Sequence, residues 1–131
     1  MILCSGCFDG LHRGHVRYLQ HARALDRTQT LRVAIAPDDY IRQTKQREPY
    51  WPHTDRADTV FALGCVDSVI MQRSMTVAQI ILEYKPALFV KGEDWRDRLP
   101  EDVLEACQRV GAQVVYVETP GRHVTEARCS S

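Results

Sequence analysis

Two histidines bracket an arginine and a glycine in His12-Arg13-Gly14-His15, directly after the turn-rich segment Gly6-Cys7-Phe8-Asp9-Gly10. Imidazole side chains can donate hydrogen bonds to negative charge that develops on a phosphorus during group transfer. The segment lies where a helix is expected to begin. Free backbone N–H groups and the helix dipole there already favour phosphate. Gly14 carries no side chain, so a phosphate oxygen could approach the backbone closely. The competing reading of the same residues is a histidine pair that caps a helix and holds no ligand. Asp9 is the nearest carboxylate for a metal ion, or else a stabiliser of the turn.

The elements that must position these residues follow from periodicity. Met1 to Cys7, Leu31 to Ala36, Val66 to Met71, Ala87 to Val90 and Val114 to Val117 are short apolar runs that predict strands. Between them lie helical stripes. The first is Val16, Leu19, Ala22 and Leu25, and the second is Ala57, Val60, Phe61 and Gly64 behind a Thr54 cap. The third is Val77, Ile80, Ile81 and Tyr84 behind a Thr76/Gln79 capping box, and the fourth is Val103, Ala106, Cys107 and Val110 between Pro100 and Gly111. Strands that alternate with helices predict an α/β domain: a five-stranded parallel sheet with helices on both faces. Ligands of such sheets gather at the carboxyl ends of the strands. The polar stretch from Tyr40 to His53 is too long for an ordinary connection, so it is expected to hold local structure or a function.

Composition narrows the classes. With 131 residues the chain suits a single domain, and 44% hydrophobic residues can build its core. Lys plus Arg equals Asp plus Glu at 17 each, so no overall field points to nucleic acid or a membrane surface as a partner. No apolar run approaches a membrane span, and the first residues do not read as a secretory signal, so a cytoplasmic protein is expected. Five scattered cysteines read as reduced thiols. Cys4-Ser5-Gly6-Cys7 has C-x-x-C spacing, but Cys4 falls inside a strand and no second pair exists to complete a zinc site.

Gly6-Cys7-Phe8-Asp9 followed by His12-Arg13-Gly14-His15 resembles the signature of the cytidylyltransferase-like nucleotidyltransferases, and the resemblance covers nearly the whole chain. It implies a Rossmann-like domain that binds a nucleoside triphosphate with magnesium, held mainly through the triphosphate, and a phosphorylated small-molecule acceptor. His12, His15 and Lys45 would be the catalytic set. Cys7, Phe8, Asp9 and Gly14 would contact the nucleotide, as would Lys91, Gly92, Asp94 and Trp95. Lys45 and Arg47, in the long polar stretch, and Arg56, near the start of the next helix, match basic residues expected on substrate phosphates. The family's tail carries an arginine, a small polar run and a final helix. Here Arg122 and the ending Cys129-Ser130-Ser131, which would contact the nucleotide, match in part, so domain 1–131 is expected to lack that helix. A homodimer is also implied.

Within the family, two branches compete. Adenylyl transfer from ATP to a heptose 1-phosphate-like sugar phosphate is slightly favoured by Gly6-Cys7-Phe8-Asp9, Lys91-Gly92 and the Cys-Ser-Ser ending. Glu93-Asp94-Trp95 leans toward a glycerol-3-phosphate cytidylyltransferase that uses CTP. A reading from another class is a nucleotide-binding module without turnover.

Overall fold

The computed structural model describes residues 1–118. The five apolar runs form β1 (Ile2–Gly6), β2 (Leu31–Ile35), β3 (Ser68–Met71), β4 (Leu88–Gly92) and β5 (Gln113–Val117). Between them lie α1 (Arg13–Leu25), α2 (Asp38–Lys45), α3 (His53–Phe61), α4 (Ala78–Tyr84) and α5 (Glu101–Val110). All pairings are parallel, in the order β3-β2-β1-β4-β5.

Strand residues alternate between two cores because successive side chains leave opposite faces of a sheet. Ile2, Cys4, Val33, Ile35 and Val90 pack against Tyr18, Leu19 and Ala22 of α1 and Ala57 and Val60 of α3. Leu3, Ala34 and Phe89 face Ile80 and Ile81 of α4 and Val103, Ala106 and Cys107 of α5. The Rossmann-like sheet with helices on both faces is therefore present. Among the described residues no helix is long and apolar enough to cross a membrane.

Several expected boundaries shift. The polar stretch after β2 contains α2, which ends at Gln46 in the left-handed region, φ 54. Helix α3 starts at His53 with Pro52 in the capping position, so Thr54 is not its cap. The Thr76/Gln79 box does not form: the Thr76 hydroxyl accepts from the Ala78 amide at 3.2 Å instead, and α4 begins at Ala78 with Val77 in the capping position. Pro100 caps α5 rather than opening it. Val66 precedes β3, which begins at Ser68. In α1 the buried face is Tyr18, Leu19 and Ala22, whereas Leu25 is exposed. That rotation of the stripe brings Tyr18 inward, with consequences at the strand ends.

Candidate active site

From β1 the chain runs to β2 and β3 on one side, then returns to β4 and β5 on the other, so the order of the sheet reverses between β1 and β4. A crevice opens at such a point. Pairing of β1 with β2 continues to Gly6, opposite Ile35, whereas pairing of β1 with β4 stops at Cys4, opposite Val90. Where the two strands part, backbone groups would lose their ladder partners. Two side chains replace them. The Ser5 amide donates to the Tyr18 hydroxyl at 3.3 Å, and that hydroxyl donates to the Val90 carbonyl at 2.5 Å. The Lys91 ammonium donates to the Ser5 carbonyl at 3.0 Å and to the Ser5 hydroxyl at 3.3 Å. Burial pushes the Tyr18 phenol well up and the Lys91 ammonium down to about 8.

Above this seam a cavity of about 570 Å³ is lined by residues from β1, the turn after it, α2, the segment after β3, and the segment after β4. The His12-Arg13-Gly14-His15 turn forms part of its wall through His12, Gly14 and His15. His12 caps α1. Its Nδ1 accepts from the Gly14 amide at 3.1 Å, and His15 Nδ1 reaches back to accept from the His12 amide at 3.3 Å. The two histidines thus build a reciprocal capping box, and their rings stack with centroids 3.9 Å apart.

That box fixes the chemistry of the rings. A neutral imidazole that accepts at Nδ1 carries its proton on Nε2. In both histidines the N–H is therefore assigned to Nε2, at the far end of the ring. Burial, His12 and Lys45 hold His15 down to about 3, so it is neutral at physiological pH and donates without bearing a charge. Gly14 is required by the same box: a Cβ there would meet His12 Cε1 at 2.9 Å and Nδ1 at 3.1 Å. Gly14→Ala is expected to displace the His12 ring and remove the cap. The expected cost is about 1 kcal/mol, read as a Tm lower by a few degrees in thermal unfolding.

Phe8 supports the pair from below. Its backbone is left-handed, φ 51, and its buried ring lies 5.1 Å from the His15 ring and 6.5 Å from the Tyr18 ring. A left-handed backbone in a bulky residue costs about 1–2 kcal/mol, and such strain persists where surrounding structure imposes it. Gly6 makes room: a Cβ there would stand 2.9 Å from the Phe8 ring.

Asp9, next in sequence, is almost wholly committed to the chain itself. It accepts from Arg47 at 2.8 Å, from the Tyr50 amide at 2.9 Å and from the Trp51 amide at 2.9 Å, and its side chain is 3% exposed. Burial alone would raise its carboxyl pKa, but Arg47 and the two amides outweigh burial and lower it. Arg47 also lies 3.9 Å over the Tyr50 ring. One carboxylate therefore fastens the segment after α2 to the turn that carries the histidines, and Lys45 at the end of α2 lines the same cavity.

The sequence matches the cytidylyltransferase-like family over residues 3–130. The chain belongs to that family. Among related proteins, it is 41% identical over 107 residues to D-beta-D-heptose 1-phosphate adenylyltransferase of Bordetella bronchiseptica, covering 79% of this chain and 65% of that protein. It is 36% identical over 99 residues to the bifunctional protein HldE of Helicobacter pylori, covering 75% of this chain and 21% of that protein. The chain thus spans about two thirds of the first relative and about a fifth of the second. A crystal structure described as the lipopolysaccharide core biosynthesis protein from Thermoplasma volcanium superimposes with a TM-score of 0.76 at 25% identity, covering 90% of this chain and 95% of that one.

Within this cytidylyltransferase-like domain, the cavity gathers most of the residues expected from sequence. Cys7, Phe8, Asp9, His12, Gly14 and His15 reach it from the first strand end; Lys45 and Arg47 from the second; and Lys91, Gly92, Asp94 and Trp95 from the fourth. Cys129-Ser130-Ser131 and Arg122 lie outside the described residues. Cys4 and Cys7 are free thiols, Cys4 buried in the core with its pKa pushed up to about 12 by burial. Such a thiol does not serve redox chemistry.

Arg56 departs from the expected role. It is 1% exposed and does not line the cavity. Its guanidinium donates to the carbonyls of Trp51 at 2.9 Å, Cys7 at 2.8 Å and Ala36 at 2.7 Å, and to the Asp38 carboxylate at 2.7 Å. Arg56 ties together the ends of β1 and β2 and the starts of α2 and α3, rather than holding a substrate phosphate. Tyr18 is the residue that periodicity missed. Its only sequence signal is an aromatic hydroxyl on a helical stripe, and such a group needs a partner when buried.

Proposed function

We propose that this chain transfers a nucleotidyl group from a nucleoside triphosphate, ATP in the favoured reading, to the phosphate of a sugar phosphate of the heptose 1-phosphate kind. The observation that carries this reading is the histidine pair: both residues line the cavity, and each ring accepts a backbone amide at Nδ1, which assigns its N–H to Nε2. The relative named for adenylyl transfer to heptose 1-phosphate supports the choice of base and acceptor.

An oxygen of the acceptor phosphate attacks the α-phosphorus in line. The bond from the α-phosphorus to the bridging oxygen breaks, and pyrophosphate leaves with that electron pair. No covalent intermediate on the protein is needed, so the chain contributes position and charge. His12 and His15 donate to the α-phosphoryl oxygens as negative charge builds on them. Lys45, at the end of α2, supplies a mobile cation for the acceptor or the leaving phosphates. Magnesium carried by the triphosphate would neutralise part of its charge. Among the described residues no cluster of three His, Cys, Asp or Glu is placed to cage an ion, and the Asp9 carboxylate is spent on Arg47 and two amides.

The test is pyrophosphate release from ATP, CTP, GTP and UTP, each combined with heptose 1-phosphate, glycerol 3-phosphate and a hexose 1-phosphate. Release that requires ATP and the heptose acceptor is expected. Release with CTP and glycerol 3-phosphate would move the chain to the other branch. Binding without release in any pairing would make it a nucleotide-binding module.

The clamp at Asp9 yields a further expectation. Asp9→Asn keeps an acceptor for a backbone amide but cannot form the ion pair with Arg47. Loosening the segment that holds Lys45 is expected to raise the acceptor KM about tenfold, roughly the value of one charge-assisted hydrogen bond. The triphosphate KM should move less, and steady-state kinetics with each substrate varied in turn would show the split.

A further inference from the structure

The resemblance assigns Lys91 to the nucleotide, yet its ammonium faces inward. Two of its three N–H groups are directed at the carbonyl and hydroxyl of Ser5, and the charge lies 4.7 Å from the centroid of the Trp95 ring. Lys91 is 7% exposed. Turning that pair of N–H groups to a phosphate would cost the Ser5 carbonyl its shorter bond, 3.0 Å against 3.4 Å from the Tyr18 hydroxyl, where β1 and β4 separate.

Trp95 is the other half of this arrangement. It ends a single 3₁₀ turn, Glu93–Trp95, directly after β4. A turn this short has little rigidity of its own. The indole lines the cavity and is only partly buried. Tryptophan is the aromatic side chain most strongly attracted to a cation over its face. Lys91 therefore links the indole to β1 through Ser5, across the seam where the sheet divides.

We propose that Lys91 is a positioning residue that fastens the Trp95 indole to the end of β1, so that the indole, which lines the cavity, is a fixed stacking platform for the nucleoside base. The inference rests on the nucleotide-transfer reading and adds a division of labour to it. His12, His15 and Lys45 act on phosphates, whereas Lys91 acts on none and reaches the nucleotide only through Trp95. A base stacked on an aromatic side chain gains enough to change affinity about tenfold or more, and a ring free to swing forfeits part of that gain.

The test uses the full chain in a Trp51→Phe background, which leaves Trp95 as the only tryptophan of two. Lys91→Met, Lys91→Arg, Trp95→Ala and the Lys91→Met/Trp95→Ala double variant are compared. Three readings are taken: Trp95 emission and its quenching by acrylamide, ATP binding by calorimetry, and steady-state KM and kcat. Lys91→Met is expected to shift Trp95 emission to the red and increase its quenching. It should weaken ATP about tenfold while kcat and acceptor KM stay within about threefold. Trp95→Ala should weaken ATP to a similar degree, and the double variant should be no weaker than Trp95→Ala alone, because coupled residues are non-additive. Lys91→Arg, which keeps the cation, should recover part of the affinity.

Additive losses in the double variant, or a loss confined to kcat, would overturn the proposal and make Lys91 a direct phosphate ligand. Should Lys91→Met fail to fold, Lys91→Arg with and without Trp95→Ala completes the same cycle. ATP binding coupled through Lys91 and Trp95 but with no pyrophosphate release from any acceptor would uphold the platform and defeat the transfer reading instead.

Discussion

His15→Ala is expected to lower kcat by about 10²–10³-fold, the typical effect of removing one preorganised donor to developing oxyanion charge. The triphosphate dissociation constant should change by no more than about threefold, since a donor aimed at the transition state contributes little to ground-state binding. The substitution also removes the acceptor of the His12 amide, so two effects must be separated. His15→Asn does this. Its carboxamide oxygen can accept that amide in place of Nδ1, but the side chain stops short of where Nε2 lies. Thermal stability should therefore return in His15→Asn while kcat stays low. Stopped or steady-state pyrophosphate release, paired with calorimetric binding, reads both quantities.

The same residue sets a pH dependence. His15 is held at about 3 in the folded chain against an ordinary 6.5, chiefly by burial. Between those values the unfolded chain takes up a proton that the folded chain refuses. Stability therefore rises with pH through this window and is lost as pH falls from about 6.5 toward 3. Urea midpoints measured across that range should fall less steeply in His15→Asn than in the native chain. Turnover that fades near pH 6.5 must then be traced to a group other than His15.

Arg56→Ala is expected to destabilise the fold by about 3 kcal/mol, the lower end of the cost of breaking a buried charge pair, since Asp38 is partly exposed. Three carbonyls, from Cys7, Ala36 and Trp51, lose their donor, and the Asp38 carboxylate loses its cation. A Tm lower by more than about 10 °C should follow. Arg56→Lys restores charge but cannot supply the planar fork of donors, so it should recover only a minor part. At a temperature where the variant remains folded, the KM values for both substrates should stay near native. A large rise in either KM with unchanged stability would return Arg56 to the substrate phosphates.

Arg56 also shows where sequence reasoning ends. A basic residue one turn into a helix reads as solvated, or as a phosphate ligand by resemblance. Nothing local indicates that four oxygens from three separate segments converge on it. Tyr18 is hidden for the same reason, its partners being Ser5, 13 residues away, and Val90, 72 residues away. Asp9 has three readings in the sequence, metal ligand, turn stabiliser or, by resemblance, nucleotide contact; in the structure its carboxylate clamps a segment about 40 residues on.

What was legible depended on local regularity. The alternation in Ile2-Leu3-Cys4 and the stripes of α4 and α5 encode which face each residue takes, and those faces are the two observed cores. The histidine turn was legible because its partners lie two and three residues apart. Its tautomeric consequence required the hydrogen bonds themselves. Helix starts were less legible, since Pro52, Val77 and Pro100 occupy the capping positions without a side-chain cap.

The central claim, that His12 and His15 present Nε2–H donors to the α-phosphate, is tested most directly by a crystal structure with a non-hydrolysable α,β-methylene triphosphate and magnesium. The mechanism predicts α-phosphoryl oxygens within about 2.6–3.2 Å of Nε2 of both rings, with each Nδ1 still accepting its backbone amide. Phosphates seated elsewhere in the cavity, or rings rotated so that Nε2 faces the protein, would contradict it.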